Sequence, residues 1–214
     1  MRWLLLCLVL LPGAGRACQT ALALTIDVSN SIDVAEFRLQ ADGLANALLD
    51  PQVREELVAG EVALSVIQWS GIDRQEVSIP WRVMRTDADV MAFSVEARLM
   101  TRAFVLSDTA PAEAIHFTLD YFGEAPDCAR RIIYVSGDGT PNSGGDVRNA
   151  TRRAEQMGVT INGIAIESLG LAITNFYRGQ VMTRDGFVIT ARTHRDYPRA
   201  IREKLLREVS RALF

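Results

Sequence analysis

The chain has 214 residues, with 23 Lys and Arg against 26 Asp and Glu and a formal net charge of −3. An acidic chain without a basic run is a poor match for nucleic acid or an anionic membrane surface. The basic side is almost all arginine, Lys204 being the only lysine.

Residues 1–17 read as a secretory signal peptide: Arg2 is a short basic region, Trp3–Leu11 an apolar run too short to span a bilayer, and Gly15-Arg16-Ala17 a small-x-small cleavage site. Removing them takes away Arg2 and Arg16 and moves the formal charge from −3 to −5. What remains, residues 18–214, is long enough for one well-packed domain. No later segment is apolar enough to cross a membrane, so the mature chain is expected in the periplasm or secreted. The two cysteines left, Cys18 and Cys128, each precede a predicted strand. If those strands are parallel neighbours, both thiols lie at one end of the sheet, and an oxidising compartment favours a disulfide. Two free thiols, or a lipid-modified Cys18, are the alternatives.

The first predicted strand, Ala21–Ile26, ends in Asp27-Val28-Ser29-Asn30-Ser31. Val34, Phe37, Ala41, Leu44 and Leu48 then recur at spacings of three and four, the mark of an amphipathic helix. Asp33 with Glu36 forms a capping-box start, and Asp50-Pro51 ends the helix. Glu61–Ser70 and Arg74–Met84 read as strands joined by a short turn into an antiparallel hairpin, with Pro80 placing the second at an edge. A helix over Val90–Met100 starts at Thr86-Asp87-Ala88-Asp89, and another runs over Pro111–Phe122. Arg131–Ser136 is a buried strand followed by the turn-rich Gly137–Gly145. A helix over Asp146–Met157, a strand over Val159–Ile166, an ambiguous Leu169–Gln180, a short strand over Gly186–Ala191 and a helix over Tyr197–Phe214 complete the chain. Strands alternating with helices predict a Rossmann-like, doubly wound α/β fold. Its mostly parallel sheet has the order 3-2-1-4-5-6, with strand 3 antiparallel at the edge and helices on both faces.

Ligands of such sheets bind beyond the carboxyl ends of the strands, where the strand order reverses. Asp27, Ser29 and Ser31 stand at that end of the first strand, Asp138 at the same end of its expected neighbour, and Thr109 before the helix leading into that neighbour. Two carboxylates and three hydroxyls are oxygen ligands suited to a hard divalent cation, Mg²⁺ with Mn²⁺ or Ca²⁺ as alternatives. A cage with so little negative charge leaves the ion free to accept a carboxylate from outside.

Asp27-x-Ser29-x-Ser31, then Thr109, then Asp138-Gly139 after an apolar strand resembles the metal-ion-dependent adhesion site of von Willebrand factor A-type domains, over essentially the whole mature chain. Gln68-Trp69-Ser70-Gly71, Cys128–Gly139 and Ile161-Asn162-Gly163 further resemble secreted bacterial A-type proteins of unassigned function. The resemblance implies that the serines and the threonine coordinate the metal. The aspartates then bind it directly or through water, and a partner's Asp or Glu completes the shell. The threonine loop reads Ser107-Asp108-Thr109, where many relatives have glycine before threonine; Asp108 would crowd the site or add charge. Trp69 is a partner rim contact or part of the core, and Asn142 a rim contact or a turn former.

Rival chemistries lack their parts. A phosphotransferase of the Asp-x-Asp type needs a carboxylate where Ser29 stands, the glycine-rich loop has no Lys-Ser/Thr for a nucleotide, and no Gly-x-Ser-x-Gly elbow exists. His116 and His194, the only histidines, read as incidental. The expectation is therefore a binding module rather than an enzyme. A metal-free structural module is the alternative, and a metal-dependent hydrolase a weaker one.

Overall fold

A computed structural model describes residues 18–168 and 170–210. The expected signal peptide and residues 211–214 of the expected last helix lie outside the described residues.

The strands are β1 (Cys18–Asp27), β2 (Ala63–Trp69), β3 (Gln75–Val83), β4 (Cys128–Gly137), β5 (Val159–Ile166) and β6 (Val188–Ala191). They form one sheet of order β3-β2-β1-β4-β5-β6, parallel except for β3. This is the expected topology, and Pro80 lies on its antiparallel edge strand, where a missing N–H breaks no inner ladder. β1 is central, so both of its faces are covered and its sequence is apolar almost throughout rather than alternating.

Alternate residues of β1 feed two cores. Leu22, Leu24 and Ile26 face α1 (Val34–Leu48), α2 (Pro51–Ala59), α3 (Asp87–Leu99) and α7 (Tyr197–Val209), meeting Phe37, Leu44, Leu57, Phe93 and Ile201. Ala21 and Ala23 face α4 (Pro111–Tyr121) and α5 (Val147–Gln156), against Ile115, Leu119 and Ala154. Small residues on that second face let the helices sit close to the strand.

Three departures from the sequence reading have local causes. Asp50-Pro51 ends α1 but also begins α2. The Asp50 carboxylate accepts from the N–H groups of Gln52 and Val53 at 3.1 and 3.3 Å, and Pro51 occupies the first helical position, where its missing donor costs nothing. Residues 169–180, left ambiguous, contain a short α6 (Ala172–Phe176), which runs into a π-helical turn over Tyr177–Val181. β1 and β4 each start earlier than expected and take the cysteines into the sheet, where Cys18 pairs with Cys128 in register.

These two cysteines form a disulfide with Cα atoms 4.6 Å apart, joining residues 110 positions apart in sequence. Closing so long a loop restricts the unfolded chain, an effect of roughly 3–5 kcal/mol. The Cys18→Ser/Cys128→Ser variant is expected to show a matching drop in unfolding free energy in urea. An unchanged midpoint would mean that the sheet alone sets the stability.

Candidate metal centre

The loop after β1 is held by its own backbone chemistry. The Ser29 N–H donates to Asp27 Oδ1 at 2.7 Å, and Ile32 N–H to the Ser29 carbonyl at 3.0 Å. Arg102, from the loop after α3, donates to the carbonyls of Val28 at 3.0 Å and Ser29 at 2.8 Å. Asn30 N–H reaches the Ser107 carbonyl at 2.9 Å. At the loop's far end Asp33 caps α1, with Glu36 completing a capping box. The Ser29 and Ser31 side chains are thereby presented from a fixed turn.

Parallel pairing of β1 with β4, in register through Ile26 and Ser136, brings Asp138 to the same lip. Ser29 Oγ lies 3.1 Å from Ser31 Oγ, which donates to Asp138 Oδ1 at 2.6 Å. Ser29, Ser31 and Asp138 therefore form one connected chain of oxygens, to which Asp27 is tied through the Ser29 N–H. Thr109 joins from the side. Its N–H donates to Asn142 Oδ1 at 2.8 Å, and its carbonyl accepts from Asn142 N–H at 3.1 Å. Its side chain stands over Gly139, where an added Cβ would come within 3.8 Å of Thr109 Oγ1. A cleft lined by Ser31, Leu106, Asp108, Thr109 and Asn142 opens beside these groups.

Asp27 is fully buried, and its Oδ2 has no hydrogen-bond partner. Burial pushes its pKa up to about 7, against the pull of the Ser29 hydrogen bonds and with a further push from the Asp138 charge. The close approach beneath it requires glycine at 137, since a Cβ there would lie 2.8 Å from both Asp27 Oδ2 and Tyr177 Oη. Tyr177 comes from the π-helical turn and lies across Gly163, whose Cβ would meet the ring Cδ1 at 2.5 Å. Burial, and then the charges of Asp27 and Asp138, hold the phenol well above its ordinary pKa, so it stays protonated.

An orphaned buried carboxylate oxygen beside a hydroxyl–carboxylate chain open to a cleft fits a hard cation. Among the described residues no three His, Cys, Asp or Glu side chains converge closely enough to hold a metal by themselves. A cation here would depend on the serine and threonine hydroxyls.

Of the two readings open for Trp69 the structure shows the core one: it is 1% exposed in the second core and offers no rim surface. Its ring points inward because β2 lies beneath helices on both faces. His194 is not incidental: its side chain is only 12% exposed, with Nδ1 3.0 Å from Glu36 Oε1 and Nε2 3.8 Å from Asp138 Oδ2. Asn142 is exposed but spends its side-chain oxygen bracing Thr109. Asp108 does not crowd the site; it is exposed on the cleft wall, and its carbonyl accepts from Ser70 Oγ at 2.9 Å. Arg102 and Tyr177 carry no sequence signal as site residues, because both act from segments distant in sequence and without motif.

No curated protein matches the chain. Solved structures do. Proximal thread matrix protein 1 from the mussel byssus, with a zinc-occupied MIDAS motif, is 18% identical over 90% of this chain with a TM-score of 0.67. This chain spans 48% of that protein's length, about half. The conserved hypothetical protein BatB from Bacteroides thetaiotaomicron is 15% identical, with 90% of this chain and 99% of that one covered and a TM-score of 0.62. The vWF domain of the type V pili tip protein Mfa5 from Porphyromonas gingivalis is 10% identical over 92% of this chain and 97% of that one, with a TM-score of 0.65. These likenesses, with the strand order and the helices on both faces, make the fold that of a von Willebrand factor A-type domain. Residues 17–213 match the family described as Protein of unknown function (DUF1194), to which the chain belongs.

Proposed function

We propose that this chain is a secreted or periplasmic module that binds one divalent cation through Asp27, Ser29, Ser31, Thr109 and Asp138, and through it an acidic side chain of another protein. The carrying observation is the connected run from Asp27 through Ser29 and Ser31 to Asp138, ending in an Asp27 oxygen that nothing else satisfies. The zinc-occupied motif named for the mussel protein supports a divalent ion in this position. The disulfide and the signal-like residues 1–17 support an oxidising destination, and among the described residues no helix is long and apolar enough to cross a membrane.

The residues divide the work. When bound, the ion supplies a Lewis-acidic position for a carboxylate. Asp27 and Asp138 balance part of its charge, while the hydroxyls hold it without adding any. Arg102 and the Asn142–Thr109 clasp keep the loops at fixed separation. Leu106, 88% exposed at the cleft with φ at +50°, and the exposed Val105 give a partner apolar contact beside the charged one. A backbone strained to present leucine to solvent suits binding better than stability.

Thermal unfolding with Mg²⁺ or Mn²⁺ against EDTA tests the first half. A cation at about a hundred times its Kd is expected to add about 2.7 kcal/mol of stability, and Asp138→Ala is expected to remove that gain. No shift at saturating cation defeats the proposal. Cation-dependent capture of an acidic peptide, lost in Leu106→Asp, tests the second half.

A further inference from the structure

We infer that His194 is a nitrogen ligand of the cation held at Asp138, so that the site prefers a borderline transition-metal ion such as Zn²⁺ or Co²⁺ over Mg²⁺ or Ca²⁺. The inference rests on the metal-binding reading above and names the ion class for that same site.

The geometry starts at Glu36. Its Oε2 accepts from the Asp33 N–H at 2.9 Å, and its own N–H donates to Asp33 Oδ1 at 2.8 Å, so the capping box holds the carboxylate in place. The second oxygen, Oε1, then faces His194 Nδ1 at 3.0 Å. A carboxylate can only accept, so this contact favours the ring tautomer that carries its proton on Nδ1. In the neutral ring this leaves Nε2 as a bare lone pair.

That lone pair is enclosed and has no hydrogen-bond partner. It faces Asp138 Oδ2 across 3.8 Å, too far for a hydrogen bond and acceptor against acceptor. Two acceptors held face to face repel unless a proton on Nε2 or a metal ion lies between them, and the imidazole nitrogen can take either. Zinc–nitrogen and zinc–oxygen bonds of about 2.0–2.2 Å allow one ion to bridge that gap at an open angle. The other Asp138 oxygen is held by Ser31, whose hydroxyl leads back to Ser29.

Glu36, His194 and Asp138 thus reproduce the carboxylate–imidazole–metal order in which an outer carboxylate fixes the tautomer and aims the free nitrogen. Imidazole favours zinc, copper, nickel and iron, whereas magnesium and calcium favour an all-oxygen shell. The three residues come from three elements: the first turn of α1, the loop after β4 and the turn leading into α7. No sequence motif would join them.

Isothermal titration with Zn²⁺ and with Mg²⁺, on the full chain and on His194→Gln and Asp27→Ala, is the first experiment. The expected result is at least about a tenfold loss of Zn²⁺ affinity in His194→Gln with Mg²⁺ affinity unchanged. The second measurement uses the unaltered protein and does not depend on the variant folding: ¹⁵N NMR of the imidazoles during Zn²⁺ addition, in which Nε2 of His194 should move to a metal-bound position while Nδ1 stays protonated. Equal Zn²⁺ affinities, or a saturating Zn²⁺ titration that leaves Nε2 in place, overturn the inference while leaving the oxygen cage intact. Zn²⁺ and Mg²⁺ binding that both survive Asp27→Ala overturn the cage itself, and the shared site with it.

Discussion

With the cation stripped by EDTA, the protein is expected to lose stability as pH rises through about 7 and to regain it when a divalent cation is added. The cause is Asp27, whose pKa is raised from 3.8 to about 7 chiefly by burial. Its proton is held more tightly in the folded chain than in the unfolded one. The stabilisation is therefore complete below about pH 4 and is lost progressively as pH climbs through 7. The two pKa values set a span of roughly 4 kcal/mol. A bound cation can take the proton's place opposite the buried carboxylate, so saturating metal should flatten the profile. Asp27→Asn carries no such charge at any pH. Above pH 7 in EDTA it should be more stable than the unaltered protein, and with saturating cation the order should reverse. Urea unfolding at pH 5 and pH 8, with and without EDTA, reads all four combinations, and parallel pH profiles for the two proteins would contradict the argument.

Lys204→Met is expected to cost about 3–5 kcal/mol, although it replaces a charged side chain in the core by an apolar one. Lys204 and Glu208 are both buried, with Nζ 3.0 Å from Oε1, and Asn162 donates to the same oxygen at 2.7 Å. The ammonium makes the ion pair without a well-directed hydrogen bond and rests over the Tyr134 ring, 4.1 Å from its centre. Burial pulls its pKa down to about 8, against the attraction of Glu208. Removing the lysine alone leaves the Glu208 carboxylate enclosed with a single donor. Lys204→Met/Glu208→Gln removes both charges and keeps the Asn162 contact, and is expected to lie within about 1 kcal/mol of the unaltered protein. The lowered lysine pKa carries its own sign: the folded chain binds this proton less tightly than the unfolded one, so stability should rise between about pH 8 and 10.5. A single variant as stable as the double one would remove the basis for both statements.

How far the fold could be read in advance depended on whether a residue's role was local. The alternation of apolar strands with periodic helices marks a doubly wound sheet, and Pro80 marks its edge, because both are consequences of nearest-neighbour chemistry. The oxygen chain was legible because parallel sheets gather strand ends, so Asp27 and Asp138 had to share a lip once β1 and β4 were neighbours. α2 was missed because Asp50-Pro51 was read only as a stop, although Val53 and Leu57, four apart and both buried, are a helical signal. His194 was missed for a different reason. Its meaning comes from Glu36 and Asp138, on two other elements, and a lone histidine before a helix has no pattern of its own. Trp69 stayed open between rim and core, because a tryptophan at a strand end near a cleft suits either until the covering helices are in view.

β1 carries the disulfide at its first residue and the Asp27 carboxylate at its last, with parallel ladders to β2 and β4 along its length. A partner tugging on a cation seated at Asp27 would load this strand along its axis. The ladders would then be strained lengthwise, many bonds at once, rather than unzipped one at a time. At the other end of this 10-residue strand, roughly 30 Å away, the force would meet a covalent anchor into β4. Such a layout suits a tether under tension.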